Sequence, residues 1–296
     1  MRTLIIGASG KIGKFFLKSK RKNFYFTYFK RKIKKGIKFN LLKDDIEPII
    51  SKYKIKKIVL LSAITEPDYC EKNKVYSNNL NIIKTKEIID KIIEKNIYLI
   101  FISSEFVFSG NKGNYTEKDL PNPINLYGKQ KLLIEKYLLS NYKNFAILRI
   151  AKTYSDDISD KTLITNYVKE IFSERKVFFV SKKQIFSPLY VHDLIKIIYY
   201  FILKKKTGIF HVAGPKTYSR YQILIKILEK INEYNNFNPQ IKIINLNQLK
   251  LIAKRPLNVG LNIRKLKRHI NFDLKNIDYV LKIVLNKYYA KKFKGR

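Results

Sequence analysis

The 296-residue chain has one cysteine, Cys70, and three histidines, His192, His211 and His269. A lone cysteine excludes a disulfide within the chain and any cysteine-based zinc site. The histidines lie far apart in sequence with no ligand spacing, so no metal centre is expected. Acidic residues are scarce, 23 against 61 basic ones, for a formal net charge of +38. No apolar run approaches the ~18 residues of a membrane span. Met1–Phe16 resembles a poor signal peptide, but Gly7, Gly10, Lys11 and Gly13 interrupt it. It reads as a strand and turn, and the expected location is cytoplasmic. Internal repeats and low-complexity linkers are absent.

What is present is a 46% apolar fraction, enough for one large domain or two closely joined ones. The charge admits a polyanionic partner, nucleic acid or an acidic membrane surface. The lysines are scattered along the whole chain, with local runs only at Lys30–Lys38 and Lys287–Arg296. That favours compositional drift, and no specific nucleic-acid binding is expected. A positive field also attracts anionic small molecules such as dinucleotides and nucleotide sugars.

Short apolar runs alternate with amphipathic stretches. Strands are predicted at Thr3–Ile6, Phe24–Phe29, Lys57–Ser62, Tyr98–Ser103 and Phe145–Arg149. Helices are predicted at Lys11–Ser19, Asp44–Lys52, Leu80–Lys95 and Leu126–Ser140. This alternation predicts an α/β fold, a doubly wound parallel sheet of the Rossmann type over residues 1–150. Its ligand should lie at the carboxyl ends of the strands. Beyond Ala151 the rhythm weakens. Helices at Thr162–Ser173, Tyr190–Lys204, Tyr221–Asn232 and Ile277–Lys287 join strands at Val177–Val180 and Gly208–Val212. Residues 151–296 read as a smaller C-terminal α/β substrate-binding lobe packed on the sheet, from which the chain can cross back to the main sheet.

Gly7-Ala8-Ser9-Gly10-Lys11-Ile12-Gly13 follows a strand and opens a helix, the context that makes such a turn a dinucleotide site. Gly7 permits a tight turn, Gly10 lets the backbone approach a pyrophosphate, and Gly13 lets the helix pack on the sheet. Phosphates would sit at the helix N-terminus. The second strand ends before Lys30-Arg31-Lys32, where NAD-binding proteins place an acidic residue. Cations there suit a 2′-phosphate, so NADP(H) is expected ahead of NAD(H). Asn40 and Leu41 are further candidate cofactor contacts.

Tyr127 and Lys131 stand four residues apart on a predicted helix and share a face. An ammonium beside a phenol is expected to lower the Tyr pKa and make it a proton donor and acceptor. The same spacing recurs at Tyr28/Lys32, Tyr53/Lys57, Tyr200/Lys204 and Tyr288/Lys292. Only Tyr127 follows a strand whose carboxyl end carries Ser103-Ser104. His192 and His211 read as structural.

The stretch Ile102-Ser-Ser-Glu-Phe-Val-Phe-Ser-Gly110, then Tyr115-Thr-Glu117, Pro121-Asn-Pro123 and Tyr127-Gly128, resembles the extended short-chain dehydrogenases. Among them it is most similar to the dTDP-4-dehydrorhamnose reductase group, whose pattern runs Ser-Thr-Asp-Tyr-Val-Phe-x-Gly, Tyr-x-Glu, Pro-x-Pro and Tyr-Gly-x-x-Lys. Leu148-Arg149 and Arg255-Pro256 match further family positions. The resemblance implies that Ser104 polarises a substrate carbonyl, Tyr127 donates the proton, and Lys131 holds the nicotinamide ribose. It implies that Ser62, Ala63 and Asn79 flank the cofactor, and that Glu105, Phe106, Gln184 and Arg255 face the substrate. The implied reaction is hydride transfer to a 4-keto sugar nucleotide for surface-polysaccharide or O-antigen sugar synthesis, with a homodimer as the family's expectation.

Three departures stand out. Glu105-Phe106 replaces Asp-Tyr, and related 4,6-dehydratases need Asp-Glu there, so dehydration is not expected. Phe186 and Leu189 replace the reductases' Gly and Thr in the substrate lobe and leave the sugar open. The same group of relatives includes a non-catalytic NADP-binding regulatory subunit of methionine adenosyltransferase, which stands as the alternative.

Overall fold

The computed structural model describes residues 1–18, 22–233 and 236–294. The first half comprises β1 (Arg2–Ile6), α1 (Gly13–Leu17), β2 (Phe24–Tyr28), β3 (Ile37–Lys38), α2 (Glu47–Lys52), β4 (Ile55–Leu60), α3 (Pro67–Lys72) and α4 (Lys74–Asn78). A π-helical segment, Asn79–Lys84, leads into α5 (Thr85–Glu94), then β5 (Tyr98–Ser104), α6 (Leu126–Asn141) and β6 (Phe145–Ile150). The remainder is β7 (Thr153–Tyr154), α7 (Leu163–Phe172), β8 (Val177–Val180), β9 (Ile185–Phe186), β10 (Leu189–Tyr190), α8 (Val191–Lys204) and β11 (Gly208–Val212). It closes with β12 (Tyr218–Ser219), α9 (Arg220–Asn232), β13 (Gln240–Ile243), α10 (Arg264–Lys267) and α11 (Ile277–Lys294).

Seven strands form one sheet in the order β3-β2-β1-β4-β5-β6-β11, every neighbouring pair parallel. Side chains alternate across it. Leu4, Ile6, Leu99 and Phe101 enter the apolar layer shared with α2, α5 and α6. Ile5, Ile100 and Ile102 enter the opposite layer with α1 and α8. Burial on both faces is why these strands read as continuous apolar runs rather than alternating ones. The strand order reverses between β1 and β4, which opens a crevice at their carboxyl ends. The doubly wound α/β sheet expected from the sequence is therefore the observed one.

Two details differ from the sequence reading. The first helix starts at Gly13, not Lys11, because Lys11 and Ile12 remain in the turn; its expected end, Ser19, lies outside the described residues. The long helix expected over Leu80–Lys95 carries the π segment at its start, where the Thr85 hydroxyl donates to the Leu80 carbonyl at 2.9 Å. The chain does cross back from the C-terminal half: strand β11 pairs with β6 from Gly208↔Ala146 to Val212↔Ile150 and completes the central sheet. The second core belongs to α7, α9, α11 and β8, with Ile164, Val168, Phe178, Leu224, Ile227 and Leu281 all buried together.

Candidate functional site

The turn after β1 is pinned at both ends. Gly7 has φ +90°, a conformation glycine adopts without strain. Its N–H donates to Thr27 Oγ1 at 3.0 Å, and the Ala8 N–H donates to the Thr27 carbonyl at 3.0 Å. A Cβ on Gly7 would meet Ser62 Oγ at 2.6 Å, so the chain after β4 touches the turn directly. A Cβ on Gly13 would lie 2.5 Å from the Gly7 oxygen and from Ala8 Cα. Gly13→Ala is therefore expected to destabilise by about 1–3 kcal/mol or more, since backbone must shift; urea unfolding with and without NADPH measures it.

Around this turn the candidate cofactor residues are distributed unevenly. Ser9 and Ile12 are half-buried, Gly10 and Lys11 exposed. The Gly10 N–H closes the turn onto the Gly7 carbonyl at 3.1 Å. Helix α1 is five residues long, so the N–H groups facing the crevice belong mainly to the turn rather than to a long helix. Ser62 and Ala63 follow β4 at the crevice, and Lys30 and Arg31 are exposed just past β2. The structure does not bring the Leu41 side chain to the crevice; it is buried with Ile46, Ile50 and Ile88 because the turn after β3 points it into the apolar layer. Asn40 Oδ1 accepts the Leu42 N–H at 3.1 Å and shapes that turn.

Asn79, expected beside the cofactor, opens the π segment and is half-buried. Asn81, two residues on, makes the clamp instead. Its Oδ1 accepts the Ile64 N–H at 2.9 Å and its Nδ2 donates to the Ile64 carbonyl at 2.9 Å. Asn81 Nδ2 also donates to Gln130 Oε1 at 2.7 Å, and Gln130 Nε2 donates to Ser77 Oγ and Asn78 Oδ1 at 2.9 and 2.8 Å. The loop after β4 is thereby tied to α6. Neither Thr27 nor this network was found from the sequence. The Asn78-Asn79-Leu80-Asn81 run carried the signal, but only the helix register selects Asn81.

Helix α6 brings Tyr127 and Lys131 to the end of β5. Asn125 caps it, with Oδ1 accepting the Gly128 N–H at 2.9 Å. Gly128 has no room for a side chain: a Cβ would lie 2.1 Å from the Phe106 carbonyl oxygen. That approach sets the Tyr127 hydroxyl beside Ser104, with the Phe106 ring 6.1 Å away edge-on. Ser104 Oγ accepts the Phe106 N–H at 3.2 Å, which leaves its own hydrogen to donate. Lys131 Nζ donates to the Ile102 carbonyl at 2.8 Å and lies 4.7 Å from the Phe101 ring centroid.

The expected electrostatics are reversed at Tyr127. Burial raises its pKa above the ordinary value, with the Ser104 hydroxyl opposing. The Lys131 ammonium lies 6.0 Å from the Tyr127 ring centroid and is directed at a backbone carbonyl, so it does not lower the phenol. Burial lowers Lys131 itself to about 8, with Glu135 pulling the other way. The result is a neutral phenol beside a serine hydroxyl, an arrangement that donates a proton to an oxygen placed between them.

The substrate candidates have their own partners. Glu105 is buried on the 3-10 turn after Ser104, and its Oε1 accepts the Lys152 N–H at 3.1 Å. Burial pushes Glu105 up to about 8. Gln184 accepts from Arg220 Nε, and Arg255 pairs with Asp68 at 2.9 Å while donating to the Ala253 carbonyl at 2.8 Å. Lys152, absent from the sequence reading, stands beside Glu105. His192 bonds Asp156 at 3.1 Å and packs on Phe15, while His211 is buried in β11, both away from the Tyr127 hydroxyl's partners.

Comparison with known proteins follows the same lines. The family described as RmlD substrate binding domain matches residues 1–290. A hypothetical dTDP-4-dehydrorhamnose reductase from Sulfolobus tokodaii, known as a crystal structure, superimposes with a TM-score of 0.83 at 32% identity, covering 96% of this chain and 99% of that one. A dTDP-4-dehydrorhamnose reductase from Bacillus anthracis, solved in complex with NADP, gives 0.81 at 22% identity over 97% of this chain and 99% of that one. Methionine adenosyltransferase 2 subunit beta of Xenopus tropicalis is 25% identical over 287 residues, 88% of this chain and 86% of that protein.

Proposed function

The chain belongs to the RmlD substrate-binding family, and from that premise we propose that it is an NADPH-dependent reductase of a 4-keto sugar nucleotide, acting in surface-polysaccharide sugar synthesis. The observation that carries this reading is the facing pair of hydroxyls, Ser104 and Tyr127, at the carboxyl end of β5 with Lys131 one helical turn on. NADPH, when bound, supplies the hydride. The residues of the chain do the rest. Ser104 donates a hydrogen bond to the carbonyl oxygen and Tyr127 gives that oxygen its proton. Lys131 is positioned to turn from the Ile102 carbonyl to a ribose hydroxyl. The glycine turn, held against Ser62 and Thr27, presents backbone rather than a side chain at Gly7, Gly10 and Gly13.

The test is incubation of the purified protein with NADPH and dTDP-4-dehydrorhamnose or another 4-keto sugar nucleotide. Loss of nicotinamide absorbance is expected, and its absence with every such substrate refutes the reading. Preference for NADPH rests on Lys30 and Arg31, exposed past β2, and on the NADP complex of the Bacillus anthracis protein. Alanine at both positions should weaken NADPH about ten- to a hundredfold, the range for losing hydrogen bonds to a charged group, and leave NADH unchanged. Titration of bound-nucleotide fluorescence reads both.

Similarity to the methionine adenosyltransferase subunit favours a second reading, a non-catalytic NADP-binding regulatory subunit. The Ser104, Tyr127 and Lys131 set argues against it, since a binding module has no need of all three.

A further inference from the structure

One short segment, 152–160, bridges the hydroxyl pair and the glycine turn. At its start the Lys152 N–H donates to Glu105 Oε1 at 3.1 Å, and Glu105 directly follows Ser104. The Lys152 carbonyl accepts the Leu189 N–H at 3.0 Å, and β7 then pairs with β10, which fixes the segment's path. At its far end stands Ser155-Asp156-Asp157-Ile158-Ser159-Asp160, which places three of the chain's 23 acidic residues within five positions.

Asp157 and Asp160 converge on one cation of the glycine turn. Lys14 Nζ donates to Asp157 Oδ2 at 3.0 Å and to Asp160 Oδ1, with all three side chains partly buried. Both carboxylates are held from behind. Ser159 donates its Oγ and N–H to Asp157 Oδ1 at 2.6 and 3.1 Å, and Ser155 Oγ donates to Asp160 Oδ2 at 2.7 Å. Acceptors fixed in this way spare the ion pair the side-chain ordering that leaves most surface pairs with little net effect. Lys14 in turn belongs to the cofactor turn: it follows Gly13, and its N–H donates to the Gly10 carbonyl at 3.1 Å. Asp156 takes no part. It pairs with His192 on α8 at 3.1 Å and Lys287 on α11 at 2.5 Å, so the segment keeps its hold on the lobe without Lys14.

Contacts therefore run unbroken from Gly10 through Lys14, Asp157 and Asp160 to the segment that ends on Glu105, beside Ser104. A dinucleotide on the turn fixes Gly10 and, with it, Lys14. A ligand lying against Ser104 then meets a wall already ordered, and less conformational freedom is lost when it binds. We propose that Lys14, Asp157 and Asp160 are positioning residues that couple the two ligands, so that NADP at the glycine turn and a nucleotide sugar beside Ser104 tighten each other's binding. This rests on the nucleotide-sugar reading above. Coupling of this kind is reciprocal, so either ligand reports it.

The test is calorimetric titration of dTDP-glucose and of UDP-glucose into the NADP-free and the NADP-loaded protein. NADP should tighten at least one nucleotide sugar about fivefold or more, the lower end for coupled sites. Lys14→Met should bring that factor to within about twofold of unity, and Lys14→Arg, which keeps the charge, should retain it. The pair Asp157→Asn/Asp160→Asn should lose it equally, and adding Lys14→Met to that pair should change it no further, because the three act as one unit. Thermal midpoints verify folding. A Lys14→Met protein whose midpoint falls while the factor stands assigns the cluster to stability alone and overturns the proposal; loss of folding in every variant does the same. A wild-type factor below about fivefold overturns it and leaves the nucleotide-sugar reading standing. Failure of both nucleotide sugars to bind in either state overturns that reading, and the proposal with it.

Discussion

Replacing Tyr127 with phenylalanine should lower kcat by about a hundred- to ten-thousandfold, the range for losing a positioned proton donor, and leave the NADPH dissociation constant within about twofold. The expectation follows from what the substitution keeps. The ring still packs edge-on against Phe106, and Gly128 still seats α6 on the Phe106 carbonyl. Only the hydroxyl facing Ser104 is lost. Because burial holds that hydroxyl neutral, its function is donation, and Ser104 alone supplies a hydrogen bond but no proton to a developing alkoxide. Stopped-flow oxidation of NADPH measures the first number and fluorescence titration the second. Turnover reduced less than tenfold would mean that another group gives the proton. Wild-type and variant that both bind NADPH, both fail on every 4-keto sugar nucleotide and complement cells equally would instead favour the regulatory-subunit reading.

The main sheet was legible because burial on two faces leaves a one-dimensional trace. The apolar run Tyr98–Ser103 is β5 to within one residue, and Gly208–Val212 is β11 as read. What a linear pattern does not carry is register between distant elements. Repeated isoleucines announced a helix after Leu80, but the same spacing suits an α-helix and a π segment. The choice is made by Asn81 and Thr85, whose partners Ile64 and Leu80 only the fold identifies. Asn79 and Asn81 were equivalent on paper for the same reason. The residue types at Ser104, Tyr127 and Lys131 were readable because they sit at the end of a strand and the start of a helix. The direction of the Tyr127 shift was not, because burial outweighs a lysine whose ammonium has a nearer carbonyl. Lys152 was hidden in a lysine-rich chain, where one more cation carries no signal until its neighbours are known.

Glu135 illustrates the same limit and leads to the largest expected loss of stability. It lies fully buried on α6, accepting from Ser103 Oγ on β5 and from Arg149 on β6, with Arg149 Nη2 at 2.6 Å and Nε at 3.1 Å from its carboxylate. Arg149 Nη1 lies 3.5 Å from His211 Nε2 on β11. Burial and the Arg149 charge lower His211 to about 3, so it is neutral; its Nδ1 donates to the Tyr115 carbonyl at 2.9 Å, and Nε2 is left as the acceptor for Arg149. One ion pair therefore joins three strands to the helix bearing Tyr127 and Lys131. Glu135→Ala strands the Arg149 charge and should lower unfolding free energy by about 3–5 kcal/mol, a large share of the roughly 5–15 kcal/mol that holds a domain together. The double variant Glu135→Leu/Arg149→Met should recover much of that loss, since an apolar pair of similar volume removes the stranded charge. Urea unfolding of both variants decides it, and a double variant no more stable than Glu135→Ala would show that the pair's value is not the cancellation of charge. The milder Glu135→Gln tests the link to chemistry. Glu135 opposes the desolvation that already holds Lys131 at about 8. Without its charge Lys131 must titrate lower, so the fall in kcat/KM on the alkaline side should begin at lower pH. An unmoved profile would confine Glu135 to stability.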